Sequence, residues 1–304
     1  MLVKYQLADG RAQAADNGLL WVFSNPDEAE RRNLVNTYGI DEHTLNSALD
    51  PDELARVEYE PEHIAIICKR PKSYSHTDDF LFKVLSSGMF LFKDKLIVVI
   101  SEEAPLIEGI RMPFKGSGSP IEAMLRILYR TIYHFLEHLR VITMMSDSLE
   151  RRISESFDNR HLLNLFKLQK SLVYYVSAIS SNTVAIEKLK NAAQRLGFTP
   201  EQQEFIDDIA IENQQCYRQA EISSNILASL MDARVSIVNN NLSVLMKTLN
   251  IITLSIMVPT FVVSAFSMNV KIPLQEYPWA FWAIMGLGIV STIGFQLWGK
   301  FKLW

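Results

Sequence analysis

Nine residues between positions 236 and 264 share one geometry. Ser236, Asn239, Ser243, Met246, Asn250, Thr253, Met257, Thr260 and Ser264 are small, polar or flexible, and their intervals alternate between three and four. On a helix that alternation holds all nine on one seam of a heptad pattern. The last five stand within, or at the start of, a stretch from Ile251 to Phe266 that carries no charged residue. In hydrocarbon such side chains must face protein or water. Two readings satisfy that requirement. The seam packs two spans of one chain together, with Ser and Thr bonding back to their own backbone, or several copies of the helix surround a water-filled path that one hairpin cannot enclose.

Other residues could do chemistry elsewhere. Glu204, Asp207, Asp208 and Glu212 crowd one segment with no basic residue between Glu201 and Tyr217. Like charges packed against a neighbouring subunit repel unless a cation lies between them, so this segment is a candidate for divalent-ion binding; a solvated acidic face is the alternative. His134 and His138 stand at i and i+4 with Glu137 between them, a spacing that can share a metal, but no third ligand on the helix and no complete HExxH pattern accompany them. Cys68 and Cys216 are far apart with no second thiol nearby, which excludes a disulfide framework or a zinc ribbon and fits two apolar thiols in a reducing compartment. No Ser-His-Asp, phosphate-loop or dinucleotide pattern has a supporting context, so no enzyme is expected. The net charge of −4 lacks the basic excess that holds nucleic acid.

The elements that must position these residues follow from the apolar distribution. The charge-free stretches Ile251 to Phe266 and Pro278 to Leu297 number about 16 and 20 residues. Each can cross a ~30 Å hydrocarbon core, the first by extending upstream through Leu249 and Asn250. Tyr277, Trp279 and Trp282 mark one edge and Trp298 and Trp304 the other, as interfacial aromatic belts do. Lys247 precedes the first span and Lys300 and Lys302 follow the second, whereas Lys271 between them is balanced by Glu276; both termini are therefore expected in the cytoplasm. The N-terminal Met1 to Gly10 has no apolar core of a signal peptide.

Upstream, β-rich runs at Leu2 to Leu7, Leu19 to Phe23, His63 to Lys69, Asp79 to Val84 and Lys95 to Ile100 alternate with helical stretches at Asp27 to Tyr38 and Asp41 to Leu49. Lys115 to Pro120 reads as a linker. Helices are expected from Ile121 to Ser156, from Arg160 to Leu196, and from a Thr199-Pro200 start, with no proline or glycine between Glu201 and Met257. The third should run on into the first span, about 66 residues and ~100 Å. A helix that long must bury its apolar stripe against neighbours or copies of itself. The expected organisation is an α/β cytoplasmic domain (1–118), a helical stalk domain (119–248), a first transmembrane helix (249–266), an extracytoplasmic loop (267–277), a second transmembrane helix (278–298) and a basic tail (299–304).

The stretch from Leu230 to Leu249, then Val258-Pro-Thr260, then Ser267-Met-Asn-Val270 with Pro273, resembles the C-terminal region of the CorA family of divalent-cation transporters. The resemblance covers the whole domain order and is sharpest in about the last 75 residues. It implies a homopentamer in which long stalk helices continue into pore-lining spans, with Mg²⁺ the first candidate ion. In that family a Gly-Met-Asn motif closes the first span and its Asn side chains ring the hydrated ion; Asn269 and Met268 match the Asn and Met, while Ser267 stands where the family has Gly. A ring of neutral amide oxygens suits Mg²⁺, which dehydrates reluctantly. The glycine permits a backbone turn that serine accepts poorly at positive φ, so Ser267 bears on the filter's shape.

The resemblance further implies that Thr260, Met257, Leu249, Met246 and Asp232 line the path, with Met257, Leu249 and Met246 as dewetting constrictions and Ser243 in place of a usual Asn. Thr253 and Asn250 join them by seam position. Counting back from the motif puts Asp208, beside Asp207, at the stalk half of a regulatory divalent-ion site. The expected protein is a transporter of Mg²⁺ in the inner (plasma) membrane, both carrying and regulated by the ion, with lipid and its own copies as partners and no nucleic acid. Alternatives are Co²⁺, Ni²⁺ or Zn²⁺ as cargo, by uptake or efflux, and a non-conducting membrane-anchored sensor or scaffold.

Overall fold

A computed structural model of the chain describes residues 1–8, 11–103, 118–155, 159–268 and 277–302. The linker positions 115–117, Asn269, Val270, Lys271, Pro273, Glu276 and Trp304 lie outside the described residues. The chain divides into two units, Met1–Met231 and Asp232–Trp304.

The first unit is built on a seven-stranded sheet of β1 (Leu2–Ala8), β2 (Arg11–Ala14), β3 (Leu20–Ser24), β4 (Arg56–Tyr59), β5 (Ile64–Pro71), β6 (Val84–Leu91) and β7 (Leu96–Ile100), ordered β2-β1-β3-β7-β6-β5-β4. Only β3 and β7 run parallel. One face is covered by α1 (Glu28–Tyr38) and α2 (Glu42–Leu49), which enclose a core of Phe23, Leu34, Leu45, Ile67, Phe90 and Val99. Asp27 and Glu30 start α1 with a reciprocal capping box, and Gly39 ends it at a left-handed φ of 66°.

The other face carries α3 (Pro120–Glu155), α4 (Asn159–Ala192) and the first part of α5 (Pro200–Ala265). Alternation in the buried strands sorts the layers: Ile66 and Cys68 join the helical core while Ala65 and Ile67 join the α1/α2 core. Ser119 and Glu122 cap α3 in a variant of the capping box, the Ser119 hydroxyl accepting from the Glu122 amide and the Glu122 carboxylate from the Gly118 amide. Thr199 and Gln202 do the same for α5, with Pro200 at its first helical position, and the Gln202 amide then donates to Ser119, tying the two helix starts together.

The sequence places β6 wrongly. Asp79 to Val84, expected as a strand, is mostly a turn in which Asp79 and Phe80 take left-handed φ of 46° and 65°, and the strand starts only at Val84. Ser86, Ser87 and Gly88 look like loop residues, yet all three lie in a buried strand. Gly88 is needed there: a Cβ would come within 2.5 Å of the Ala48 Cβ on α2.

Helix α4 is seated on the sheet by polar side chains. Asn182 accepts from the Lys69 amide at 2.7 Å and donates to the Lys69 carbonyl at 2.8 Å, acting as a surrogate strand beyond the reach of β4, which pairs with β5 only over Ile64 to Ile67. Ser171 and Ser181 likewise accept from the Phe82 and Ala55 amides. An orphaned buried backbone pair is costly, about 2 kcal/mol. Asn182→Ala is expected to lower the thermal unfolding midpoint of the first unit by about 4–8 °C; a calorimetric scan of the full chain with an unchanged midpoint would contradict this role.

Candidate functional site

Every seam residue lies on α5, and the second unit pairs the end of that helix with α6 (Ala280–Lys302). Both helices contain long apolar windows, of mean hydropathy 1.7 and 1.6, and those windows are 0% and 6% buried, so neither is the core helix of a soluble protein. With the exposed aromatic side chains of Tyr277, Trp279 and Trp282 at the start of α6, the pair has the composition of a membrane hairpin.

The hairpin's own packing decides between the two readings of the seam. On α5 the half-covered positions of the span are Ile251, Ser255, Val258, Pro259, Val262 and Phe266; on α6 they are Ala283, Ile284, Ser291, Thr292 and Phe295, with Gly288 buried. The helices approach at Gly288, where a Cβ would touch the Cγ2 of Val263 at 3.8 Å, at the border between the α5 stripe and the seam. At ~100° per residue the stripe on α5 and the seam of Asn250, Thr253, Met257, Thr260 and Ser264 point to nearly opposite sides of the helix. All five of these seam residues are exposed, Met257 by 59%, as are Ser243, Leu249, Asp232 and Met246. The half-covered stripe is therefore a different face from the seam, and the seam's edge at Thr260 and Ser264 borders a groove that Thr292 of α6 also lines.

Four of the seam's five hydroxyls donate to their own helix. Ser236 donates to the Asp232 carbonyl at 3.1 Å, Ser243 to Asn239 at 2.9 Å, Thr253 to Leu249 at 2.9 Å and Thr260 to Ile256 at 2.7 Å. Each proton is spent on the helix, four residues back, and each oxygen keeps lone pairs. A surface of acceptors results. Waters around a cation turn their protons outward, so such a surface matches a hydrated cation and repels none of its charge.

At the C-terminal end of α5 the structure departs from expectation. Ser267 is not among the residues with left-handed φ, which apart from glycines are Asn25, Asp79 and Phe80 among the described residues. The chain turns instead through a tightened last turn, the Ser267 amide donating to the Ser264 carbonyl at 3.1 Å, so no positive φ is asked of serine there. Met268 is 59% exposed.

The acidic segment is less assembled. Asp207 is bound by Lys190 of α4 at 3.0 Å, an exposed pair whose hydrogen bond and charge raise the lysine's pKa, and the sequence gives no local signal of it. Asp208 is exposed and, with Glu212, lies near the Tyr129 phenol, whose pKa is raised by burial first, then by Tyr133 and these carboxylates. Among the described residues no three His, Cys, Asp or Glu side chains are grouped to hold a metal. His134 and His138 are packed edge to face with centroids 4.4 Å apart, and burial pushes both down to about 4. His138 Nδ1 bonds the Tyr175 hydroxyl at 2.7 Å, and Glu137 pairs with Arg130, so the histidines serve as neutral core. Cys68 and Cys216 are buried thiols, the first raised in pKa and the second pushed up to about 12, both by burial first.

Known proteins share this arrangement. The family described as CorA-like Mg2+ transporter protein matches residues 16–300. The cobalt/magnesium transport protein CorA of Methanocaldococcus jannaschii is 25% identical over 290 residues, which is 92% of this chain and 89% of that one. The complete structure of the CorA magnesium transporter from the same organism matches with a TM-score of 0.82 at 21% identity, over 100% of this chain and 98% of that one. The ZntB cytoplasmic domain from Vibrio parahaemolyticus shares the fold of the first unit, with a TM-score of 0.58 at 14% identity over 78% of this chain and 97% of that one. An α/β unit, a long helix and two C-terminal apolar helices in this order, with the family match along nearly the whole chain, lead to one conclusion: the chain belongs to the CorA-like Mg2+ transporter family and is an integral membrane transporter of divalent cations, not an enzyme.

Proposed function

We propose that five copies of the chain bring their α5 seams together around a central aqueous pore that conducts hydrated divalent cations, Mg²⁺ first and Co²⁺ second, the ions named for the Methanocaldococcus jannaschii relative. The observation that carries this reading is the exposed acceptor seam on the side of α5 away from α6. Lipid cannot solvate it and the chain's own hairpin does not cover it, so other copies and water must. In this reading residues 1–118 and 119–248 form the cytoplasmic α/β and stalk domains, 249–266 and 278–298 cross the inner (plasma) membrane, 267–277 joins them outside, and both termini stay in the cytoplasm.

The mechanism follows from the seam's chemistry. Asn269 carboxamides ring the outer mouth and receive the ion with its water shell, and Thr260, Thr253 and Asn250 pass it inward through hydrogen bonds to that shell. From Asn269 down to Asn250 the path offers only neutral amides and hydroxyls, none a strong enough ligand to strip Mg²⁺ of water, so the ion is also free to leave. Met257, then Leu249 and Met246, interrupt the acceptors with apolar side chains whose rings close the path by dewetting. Ser243 and Asp232 continue it toward the cytoplasm. A negative-inside potential of 100 mV drives a divalent ion inward by about 4.6 kcal/mol, twice the single-charge figure, so uptake needs no ATP site. Asp207 and Asp208 lie off this path; Lys190 pairs with Asp207, and Asp208, which is exposed, stands for the stalk half of a regulatory divalent-ion site.

Two substitutions test the proposal in proteoliposomes. Asn269→Ala should abolish selective Mg²⁺ flux while leaving the assembled oligomer intact; unchanged rate and selectivity would refute the ring. Met257→Ser should raise flux in the resting state, because a hydroxyl ring wets where a thioether ring does not. Resting flux at the wild-type level in a folded oligomer would move the gate elsewhere.

A further inference from the structure

We infer that the Ser267 hydroxyl tunes how tightly the pore mouth holds its cation, by capping the carbonyls at the end of α5; this rests on the pore reading above. Helix α5 ends at Ala265, so its last carbonyls lack the full set of amides four residues on that the helix interior supplies. They also form the negative end of the helix dipole. Ser264 lies on the seam, and one turn below it Thr260 belongs to the path. Left bare, the Ser264 and Val263 carbonyls would be strong acceptors at the place where a hydrated divalent cation arrives.

Ser267 occupies them. Its hydroxyl lies 3.0 Å from the Ser264 carbonyl oxygen and 3.4 Å from that of Val263, and its amide adds a bond of 3.1 Å to Ser264. The hydroxyl has one proton, which it shares between the two carbonyls, the nearer one taking most of it. Its oxygen then presents lone pairs in their place. A hydroxyl oxygen is a weaker partner than a carbonyl at a helix C-terminus, so each subunit offers the ion's water shell a softer contact. Around a doubly charged ion, several subunits doing this together lower the affinity of the mouth and speed release to the next site. Since the turn at 267 needs no left-handed φ, backbone freedom is not what the residue supplies. Ser267 is a positioning residue: it acts through the carbonyls that it engages.

The test measures initial Mg²⁺ flux into proteoliposomes against Mg²⁺ concentration for the wild type, Ser267→Ala, Ser267→Thr and Ser267→Gly. Ala and Gly should each lower the half-saturating concentration by about threefold, as expected for a hydrogen bond's net contribution, and lower the maximal rate as well. Thr keeps the hydroxyl and should restore both values. Half-saturation at the wild-type value in Ala, or a shift in Gly alone, would overturn the cap while leaving the pore in place. Wild-type vesicles that carry no divalent flux would overturn the pore reading and this inference with it.

Discussion

Hydrocarbon offers no hydrogen bonds, and a helix that crosses it with a seam of Asn, Thr and Ser must find partners for that seam elsewhere. In this chain the requirement is sharpened by the hairpin. Helix α6 approaches α5 at Gly288 and Thr292, half-covering the stripe from Ile251 to Phe266 while the seam residues stay exposed. The hydroxyls answer half of the requirement by donating to their own helix. Their acceptor side remains, and with it the need for water and for more copies of the same helix. Selectivity and gating then become questions of which acceptors and which apolar rings succeed one another along α5.

The first unit solves a different problem. A sheet covered on both faces by helices leaves no room for water at the ends of short strands, and β4 is too short to complete the edge of β5. Asn182, Ser171 and Ser181 of α4 supply the missing partners from the side. Placing hydrogen-bonding side chains on a helix that otherwise packs by Leu165, Leu168, Leu172, Tyr175 and Ile179 fixes the register of helix on sheet, which apolar contact alone specifies loosely.

Much of the architecture was legible from local signals. The Thr199-Pro200 start of α5, the break before it, the two charge-free spans and the 3–4 periodicity of the seam each depend on residues close together in the chain. What was not legible depends on partners far away. Strand β6 starts later than expected because Ser86, Ser87 and Gly88 look like loop residues; in the strand Ser86 accepts from Lys69, Ser87 bonds Cys68, and Gly88 makes room for Ala48. Strands β2 and β4 have four residues each, too few to show alternation. Lys190 is 17 positions from Asp207 on another helix, and no spacing announces the pair. The seam's periodicity likewise says that its residues share a face but not what that face meets; only the position of α6 separates the two readings.

In the assembled pore the seam faces water and the opposite stripe faces protein. Single cysteines at Thr253, Thr260 and, for comparison, Val258 and Val262 can be exposed in lipid vesicles to a water-soluble, membrane-impermeant thiol reagent, since the native Cys68 and Cys216 are buried. Thiols at 253 and 260 should be modified, with Mg²⁺ flux blocked as a result, while those at 258 and 262 stay unreactive. Modification at 258 and 262 with protection at 253 and 260 would contradict that arrangement.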